Sequence, residues 1–330
     1  MFIRKIACVG YHYTGAGVID DLFRECDNVY QGTYEAEIRI LHDPDGVSDL
    51  EYHLVENPHR LSSGLAIKRF IDYAKRNSRQ IEKIVGEDWI EIATNYAESL
   101  SLIKYHGYVG GDLLFLSPRQ RIHFFCRRVV NKLLPKQFLP PKDSNLLPSV
   151  ITYYSRLDEN EFINKTKVFV ELLCEKANKD KKEFIMLDQF IGSNYPSRYL
   201  RYANDLKAII VDRDPRDLYI SRMLSNDRVL PHNPHEFCIY HRGIRQTKED
   251  FPSDQCLKVN FEDMIYNYDD YVNKVLNFVG VSKEHHVSPL LYFDPNKSIK
   301  GTKLWQCHPE YSEEVKIIEK ELPEYLYQYK

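Results

Sequence analysis

The chain has 330 residues, 43% hydrophobic and 28% charged, with a formal net charge of −3 and a mean hydropathy of −0.48. That length allows a substantial core in one domain or two, and the near-neutral balance argues against a long nucleic acid held mainly by its backbone. No run approaches the ~20 apolar residues of a membrane span, and seven scattered cysteines without a CxxC pair or a metal-ligand rhythm fit a reducing, cytoplasmic setting and suggest no metal.

The first apolar run is too short for a signal peptide, and Ile3 to Val9 reads as a buried first strand. A glycine-bearing turn follows, Gly10-Tyr11-His12-Tyr13-Thr14-Gly15-Ala16-Gly17, and then Val18, Ile19, Leu22 and Phe23 at helical spacing. Such a turn directs backbone N–H groups and the positive helix end at an anion, which suits a phosphate. Gly10 and Gly15 have the spacing of a nucleotide P-loop. The Lys and Ser/Thr that should come next are Ala16 and Gly17, which argues against ATP or GTP hydrolysis.

A second extended segment is expected from Tyr34 to Leu41, ending in the turn-rich His42 to Gly46, and the pattern from about Asp49 to Tyr105 is mainly helical. Residues 106–165 are the least regular. Gly107, Gly110 and Gly111 precede a basic aromatic stretch from Arg119 to Arg128, and Pro135, Pro140, Pro141 and Pro148 follow. This part reads as an insertion or lid, either facing a substrate or forming plain surface. Phe169 to Ala177 looks helical, and Glu183 to Leu187 looks like a strand ending at Asp188-Gln189.

Leu206 to Asp212 is the next strand, followed by Arg213 and a strong helix start: Asp214 as N-cap, Pro215 as first helical residue, and Asp217 as the acid three positions after the cap. Arg213 thereby stands at the carboxyl end of a strand, where open α/β sheets bind ligands. An anion there could bond to both Arg213 and the Ser221 hydroxyl. The plainer alternative is a capped helix with an Arg213–Asp217 salt bridge. Cys256 to Asn260 is a further strand, Tyr271 to Val279 an amphipathic helix closed by Gly280, and Glu310 to Tyr325 a helical tail interrupted by Pro323. Alternation of strands and helices predicts an α/β protein: a P-loop-like three-layer fold with a mostly parallel sheet of about five strands, helices on both faces and a helical insertion. The expected organisation is one domain over 1–330, with a nucleotide-binding core at 1–48 and 183–330 and an insertion at about 49–182.

The first loop and the Arg213–Ser221 segment together resemble the PAPS-dependent sulfotransferase family, of bacterial type and similar to carbohydrate sulfotransferases. The resemblance covers residues 1–40 and 183–330. It extends to Asn260-Phe261-Glu262-Asp263 with the helix ending at Gly280, and to a late basic glycine loop, Lys297 to Trp305. It implies 3′-phosphoadenylyl sulfate (PAPS) as donor, with PAP as product and no metal. Tyr11, His12, Tyr13, Thr14, Gly15, Ala16 and Gly17 would then face the 5′-phosphosulfate. Arg213 and Ser221 would hold the 3′-phosphate, and Lys300, Gly301 and Lys303 would close over the nucleotide. Many members carry a Lys or Arg in the first loop, where this chain has Tyr13 with His12 beside it. His12, or a Lys from elsewhere such as Lys68, would have to stabilise the leaving phosphate; an inactive member is the other outcome. By position Glu37 matches the general base of glycan-sulfating members, with Glu35 and Arg39 beside it, and Asp188 and Gln189 match an acceptor-contacting position. The expected activity is sulfuryl transfer to a carbohydrate hydroxyl. The rivals are a small hydrophobic alcohol such as a sterol or phenol, which 24 Tyr and 16 Phe would suit, an ATP-dependent phosphotransferase, and a non-catalytic nucleotide- or glycan-binding protein.

Overall fold

The computed structural model describes residues 3–31, 37–133, 150–225, 228–246, 252 and 254–329. Its contacts divide the chain into two compact units, one of residues 1–42, 80–86 and 170–330, the other of residues 43–79 and 87–169. The strands among the described residues are β1 (Arg4–Gly10), β2 (Val29–Gln31), β3 (Ile103–Gly107), β4 (Val150–Tyr154), β5 (Phe184–Asp188), β6 (Leu206–Asp212) and β7 (Cys256–Asn260).

In the first unit five strands form one sheet in the order β2-β5-β1-β6-β7, and every pairing is parallel. Near-continuous apolar runs explain this, because a parallel sheet is covered on both faces. Ile6, Cys8, Met186, Ile209, Val211 and Val259 pack on one side with residues of the helices Gly17–Arg24, Phe261–Tyr266 and Tyr268–Val279. Lys5 alternates to the opposite side, where its buried Nζ lies 2.8 Å from Glu171 of the helix Glu159–Ala177. Gly280 closes the Tyr268–Val279 helix with φ 87°, a left-handed stop that favours glycine. The expected α/β sheet of five strands, with helices on both faces, is the observed one.

One strand falls elsewhere than expected. Glu37 to Arg39 form no regular structure, and the edge strand is the shorter Val29–Gln31, laddered to β5. The alternation at 37–41 has another cause: Ile38, Ile40 and Leu41 are buried, and Ile38 donates to the carbonyl of Asp188 at the end of β5 (3.4 Å). The chain there lies across a sheet end without extending the ladder. Tyr34 and Glu35 lie outside the described residues.

The second unit contains the helices Ser62–Arg76, Trp89–Ser99 and Pro118–Leu133 and an antiparallel β3–β4 ribbon in which Ile103 faces Tyr154 and Gly107 faces Val150. Tyr96 stacks on Phe169 at 4.2 Å, with Phe70 edge-on to both. A Cβ on Gly64 would meet the Tyr153 carbonyl at 2.2 Å, so the glycine lets helix and ribbon touch. The stretch expected to be least regular therefore holds a 16-residue helix and a strand. The ribbon escaped a helix-period reading because each of its strands has only five residues.

Candidate active site

Four strands deliver residues to one edge of the sheet. Gly10–Gly17 follow β1, Asp188–Gln189 end β5, Arg213 follows β6 and Phe261–Asp263 follow β7. β1 lies between β5 and β6, so connections leave the centre of the sheet in opposite directions above it. In open parallel sheets this is where ligands bind.

The first loop is wound tightly. His12 (φ 67°), Tyr13 (φ 53°) and Gly15 (φ 81°) are left-handed, and the two non-glycine residues each carry a cost of about 1–3 kcal/mol. Three contacts hold the loop in that shape. The Tyr11 N–H donates to the buried Thr14 Oγ1 (3.3 Å). Arg213 Nη1 donates to the Tyr13 carbonyl (2.8 Å). The Phe261 ring lies so close beneath Gly15 that a Cβ there would approach it to 2.4 Å.

Arg213 is the hub of this edge. Besides Tyr13 it donates through Nη2 to Ser221 Oγ (3.0 Å) and to the Gly301 carbonyl, and its guanidinium lies 5.0 Å from the centre of the Phe261 ring. It joins the first loop, the helix Pro215–Ser225 and the late loop. The side chain is nearly buried, at 9% exposure, and its Nε has no hydrogen-bond partner. Burial draws its pKa below the usual arginine value, against the opposing pull of Asp217 and Glu262.

The helix start behaves as expected in one respect and differs in another. Asp214 Oδ1 accepts from the Arg216 N–H (2.9 Å), the N-cap bond. Asp217 does not turn back to form a capping box. The Asp214 N–H is taken by Glu262 (2.8 Å), and Asp217 accepts from the amides of Lys303 (2.9 Å) and Leu304 (2.7 Å) and from the Tyr329 hydroxyl (2.9 Å). The local alternative of an Arg213–Asp217 pair thus gives way to long-range partners on both residues. Lys303 is left-handed (φ 55°) where Asp217 grips it, and its ammonium lies over the rings of Tyr266 and Tyr329. Lys300 is exposed on the same loop. Burial pushes the carboxyl of Glu262 up to about 8.

A cavity of about 440 Å³ opens beside the first loop, lined by Gly10, His12 to Gly17, Glu37, Arg39, Asp188, Gln189 and Val229. Glu37 and Arg39 pair with each other on its wall, Arg39 Nε donating to Glu37 Oε2 at 2.7 Å. Asp188, mostly through burial and then through the charge of Glu37, is raised to about 6. Behind it, burial and the charge of Asp188 raise Asp20 to about 7. His12 is exposed at the rim. The loop, Glu37, Arg39, Asp188 and Gln189 therefore share one cavity, and Arg213, Ser221 and Gly301 form a second cluster joined to it through the Tyr13 carbonyl. Lys68 belongs to the second unit, where it pairs with the buried Asp112.

Sequence reasoning missed several members of this edge. Phe261 was visible within the Asn260–Asp263 pattern, but not its place beneath Gly15 and Arg213. Nothing in the sequence signalled Asp20, or Arg245, which pairs with Asp212 (2.6 Å) and stacks on Tyr11 at 4.4 Å. Among the described residues no His/Cys/Asp/Glu group is arranged to hold a metal ion, and no helix is long and apolar enough to cross a membrane.

No family model matches the chain, and no curated protein matches it. Among solved structures it is similar to the sulfotransferase domain from the Synechococcus PCC 7002 olefin synthase, at 13% identity and a TM-score of 0.42 over 91% of this chain and 87% of that one. It is also similar to the sulfotransferase domain from the curacin biosynthetic pathway (11% identity, TM-score 0.39, 96% of each chain). A third is retinol dehydratase in complex with androsterone and inactive cofactor PAP (12% identity, TM-score 0.34, 99% of this chain and 83% of that one).

Proposed function

We propose that the chain is a PAPS-dependent sulfotransferase acting on an acceptor hydroxyl, and that the acceptor is a carbohydrate. The observation that carries the reading is the bonding of Arg213 to Ser221 and, through the Tyr13 and Gly301 carbonyls, to the first and late loops. The residues present fit the donor. The buried, unpartnered Nε of Arg213 is a cationic donor in need of an acceptor, and a nucleotide 3′-phosphate would satisfy it. Gly10 and Gly15 leave backbone where a Cβ would collide, a cradle suited to a 5′-phosphate.

When bound, PAPS supplies the sulfuryl group. The protein's part in such a displacement is to position the partners and stabilise charge. The amides of Tyr13 to Gly17 and the Thr14 hydroxyl would hold the 5′-phosphate, and Arg213 and Ser221 the 3′-phosphate. Lys300 and Lys303 would add positive charge from the late loop, and His12 would donate toward the departing phosphate. Glu37 would accept the proton of the acceptor hydroxyl, with Arg39 orienting its carboxylate. A glycan is favoured because Glu37, Arg39, Asp188 and Gln189 give the cavity a polar wall, whereas a sterol needs apolar surface there.

Thermal melting with PAP, PAPS, ATP and NAD tests the nucleotide. PAP and PAPS should raise Tm by mass action on the folded state while ATP and NAD do not. An equal response to ATP, or none to PAP, would remove the sulfotransferase reading. Incubation with labelled PAPS and a panel of glycans and sterols then tests the acceptor, and label on the sterols alone would overturn the carbohydrate assignment.

A further inference from the structure

The helix Pro118–Leu133 presents an apolar stripe to solvent. Ile122, Phe125, Val129 and Leu133 are 64%, 54%, 56% and 79% exposed, and at 3.6 residues per turn they fall within an arc of about 80°. Phe124, on the far side of the helix, is buried and marks the face that packs inward. The stripe therefore points away from the body to which the helix is attached. Arg128 and Lys132 run along one flank of the stripe and Arg119 and Arg127 along the other, Arg121 being turned back onto the carbonyls of Leu114 and Leu116, and the 16 residues include no Asp or Glu.

We propose that this helix is a docking surface for an anionic phospholipid bilayer. The apolar stripe would enter the headgroup boundary, and the cations on both flanks would meet lipid phosphates, the arrangement of a helix lying in the membrane plane. Sixteen residues span only about 24 Å at 1.5 Å per residue, short of a crossing. Charge also selects against a second copy of the chain as occupant. Two such stripes packed together would set cationic flank against cationic flank, with no carboxylate on either helix to relieve the repulsion. A bilayer carrying anionic headgroups complements both flanks at once.

The full-length protein should co-sediment with vesicles of phosphatidylcholine mixed with phosphatidylglycerol and not with phosphatidylcholine alone, and added salt should weaken the binding. Arg128→Gln and Lys132→Gln should each lower the partition coefficient roughly fivefold, the loss of one cation at an anionic surface. Phe125→Ser with Val129→Ser should abolish binding while leaving the melting temperature unchanged, since both side chains are already in solvent. Equal binding to both vesicle types, or binding to neither, would overturn the proposal. So would a dimer in sedimentation equilibrium that Phe125→Ser dissociates, because the stripe would then be a contact between copies.

Discussion

Arg213 donates to Ser221 Oγ at 3.0 Å, across eight residues of chain. The strand β6 ends just before Arg213 and the Asp214 cap starts the helix at once, so two helical turns carry Ser221 back to the guanidinium. Cap, helix and charge cluster are one construction, with the cap fixing where the other two meet.

Under the proposed function Arg213→Ala should weaken PAP binding by about a hundredfold or more, the scale for removing a buried charge from a hydrogen-bonded pair. Ser221→Ala should cost less, about 0.5–1.5 kcal/mol or up to tenfold. Arg213→Lys should not restore affinity, because an ammonium cannot reach Tyr13, Ser221 and Gly301 in one plane. Isothermal titration with PAP reads all three. Melting of each variant without ligand separates lost binding from lost fold, since Arg213→Ala also strands two carbonyls.

Stability should fall as pH rises from about 6.5 to 8. Burial raises Glu262 to about 8 from its ordinary 4.5, and burial with the charge of Asp188 raises Asp20 to about 7 from 3.8. The fold favours the protonated form of both. Their contribution is complete below the unfolded values and is lost as pH climbs through the folded ones. His241 has the opposite sign. Burial, reinforced by Arg245 and Arg242, holds it down to about 2 from 6.5, so its contribution is lost as pH falls below 6.5. The carboxyls control the window above that point. Tm measured from pH 6 to 8.5 should decline, and Glu262→Gln, which keeps an oxygen for the Asp214 amide, should flatten the decline. An unchanged slope would show that Glu262 is ionised throughout.

The order of strands and helices could be read from the sequence because the buried runs at Ile6–Val9, Phe184–Leu187 and Ile209–Val211 are long and end sharply. The placing of Arg213 at a strand end could be read for the same reason. The partners of the charged residues could not. Asp217 has the spacing of a local capping acid, yet it bonds to amides 86 and 87 residues away, a tertiary preference that no local pattern encodes. The part of the expected Tyr34–Leu41 strand that is described, from Glu37 on, is not a strand for a similar reason, since alternating burial arises wherever a chain lies flat on a core. Glu37 and Asp188 meet in one cavity only because the chain at Ile38 lies against the end of β5, its N–H donating to the Asp188 carbonyl.

Asp217→Ala should loosen the late loop. It leaves the amides of Lys303 and Leu304 and the Tyr329 hydroxyl without their shared acceptor, at a cost of about 1 kcal/mol for each part-buried bond. Urea unfolding should show a lower midpoint with little change in slope. Hydrogen exchange should show lost protection at Lys303 and Leu304 in particular. Asp217→Asn, which keeps one acceptor oxygen, should fall between the two. Unchanged exchange at both amides would mean that the loop is held by its other ties, Arg213 to the Gly301 carbonyl and Tyr266 to Thr302.

Glu37 and His12 divide the proposed chemistry in a way that kinetics can separate. Glu37→Gln should leave PAP affinity intact and lower kcat by about 10²–10⁴, the range for loss of a general base. It should also act on Asp188. Part of what holds Asp188 at about 6 is the charge of Glu37, so in the variant the carboxyl titration of Asp188, followed by NMR, should move to lower pH. His12→Ala should reduce kcat while sparing Asp188, and because position 12 is left-handed (φ 67°), His12→Gly should be at least as stable as His12→Ala. Retained turnover in Glu37→Gln, together with its loss in Asp188→Asn, would move the base from the Arg39-paired carboxylate to the half-buried one at the end of β5.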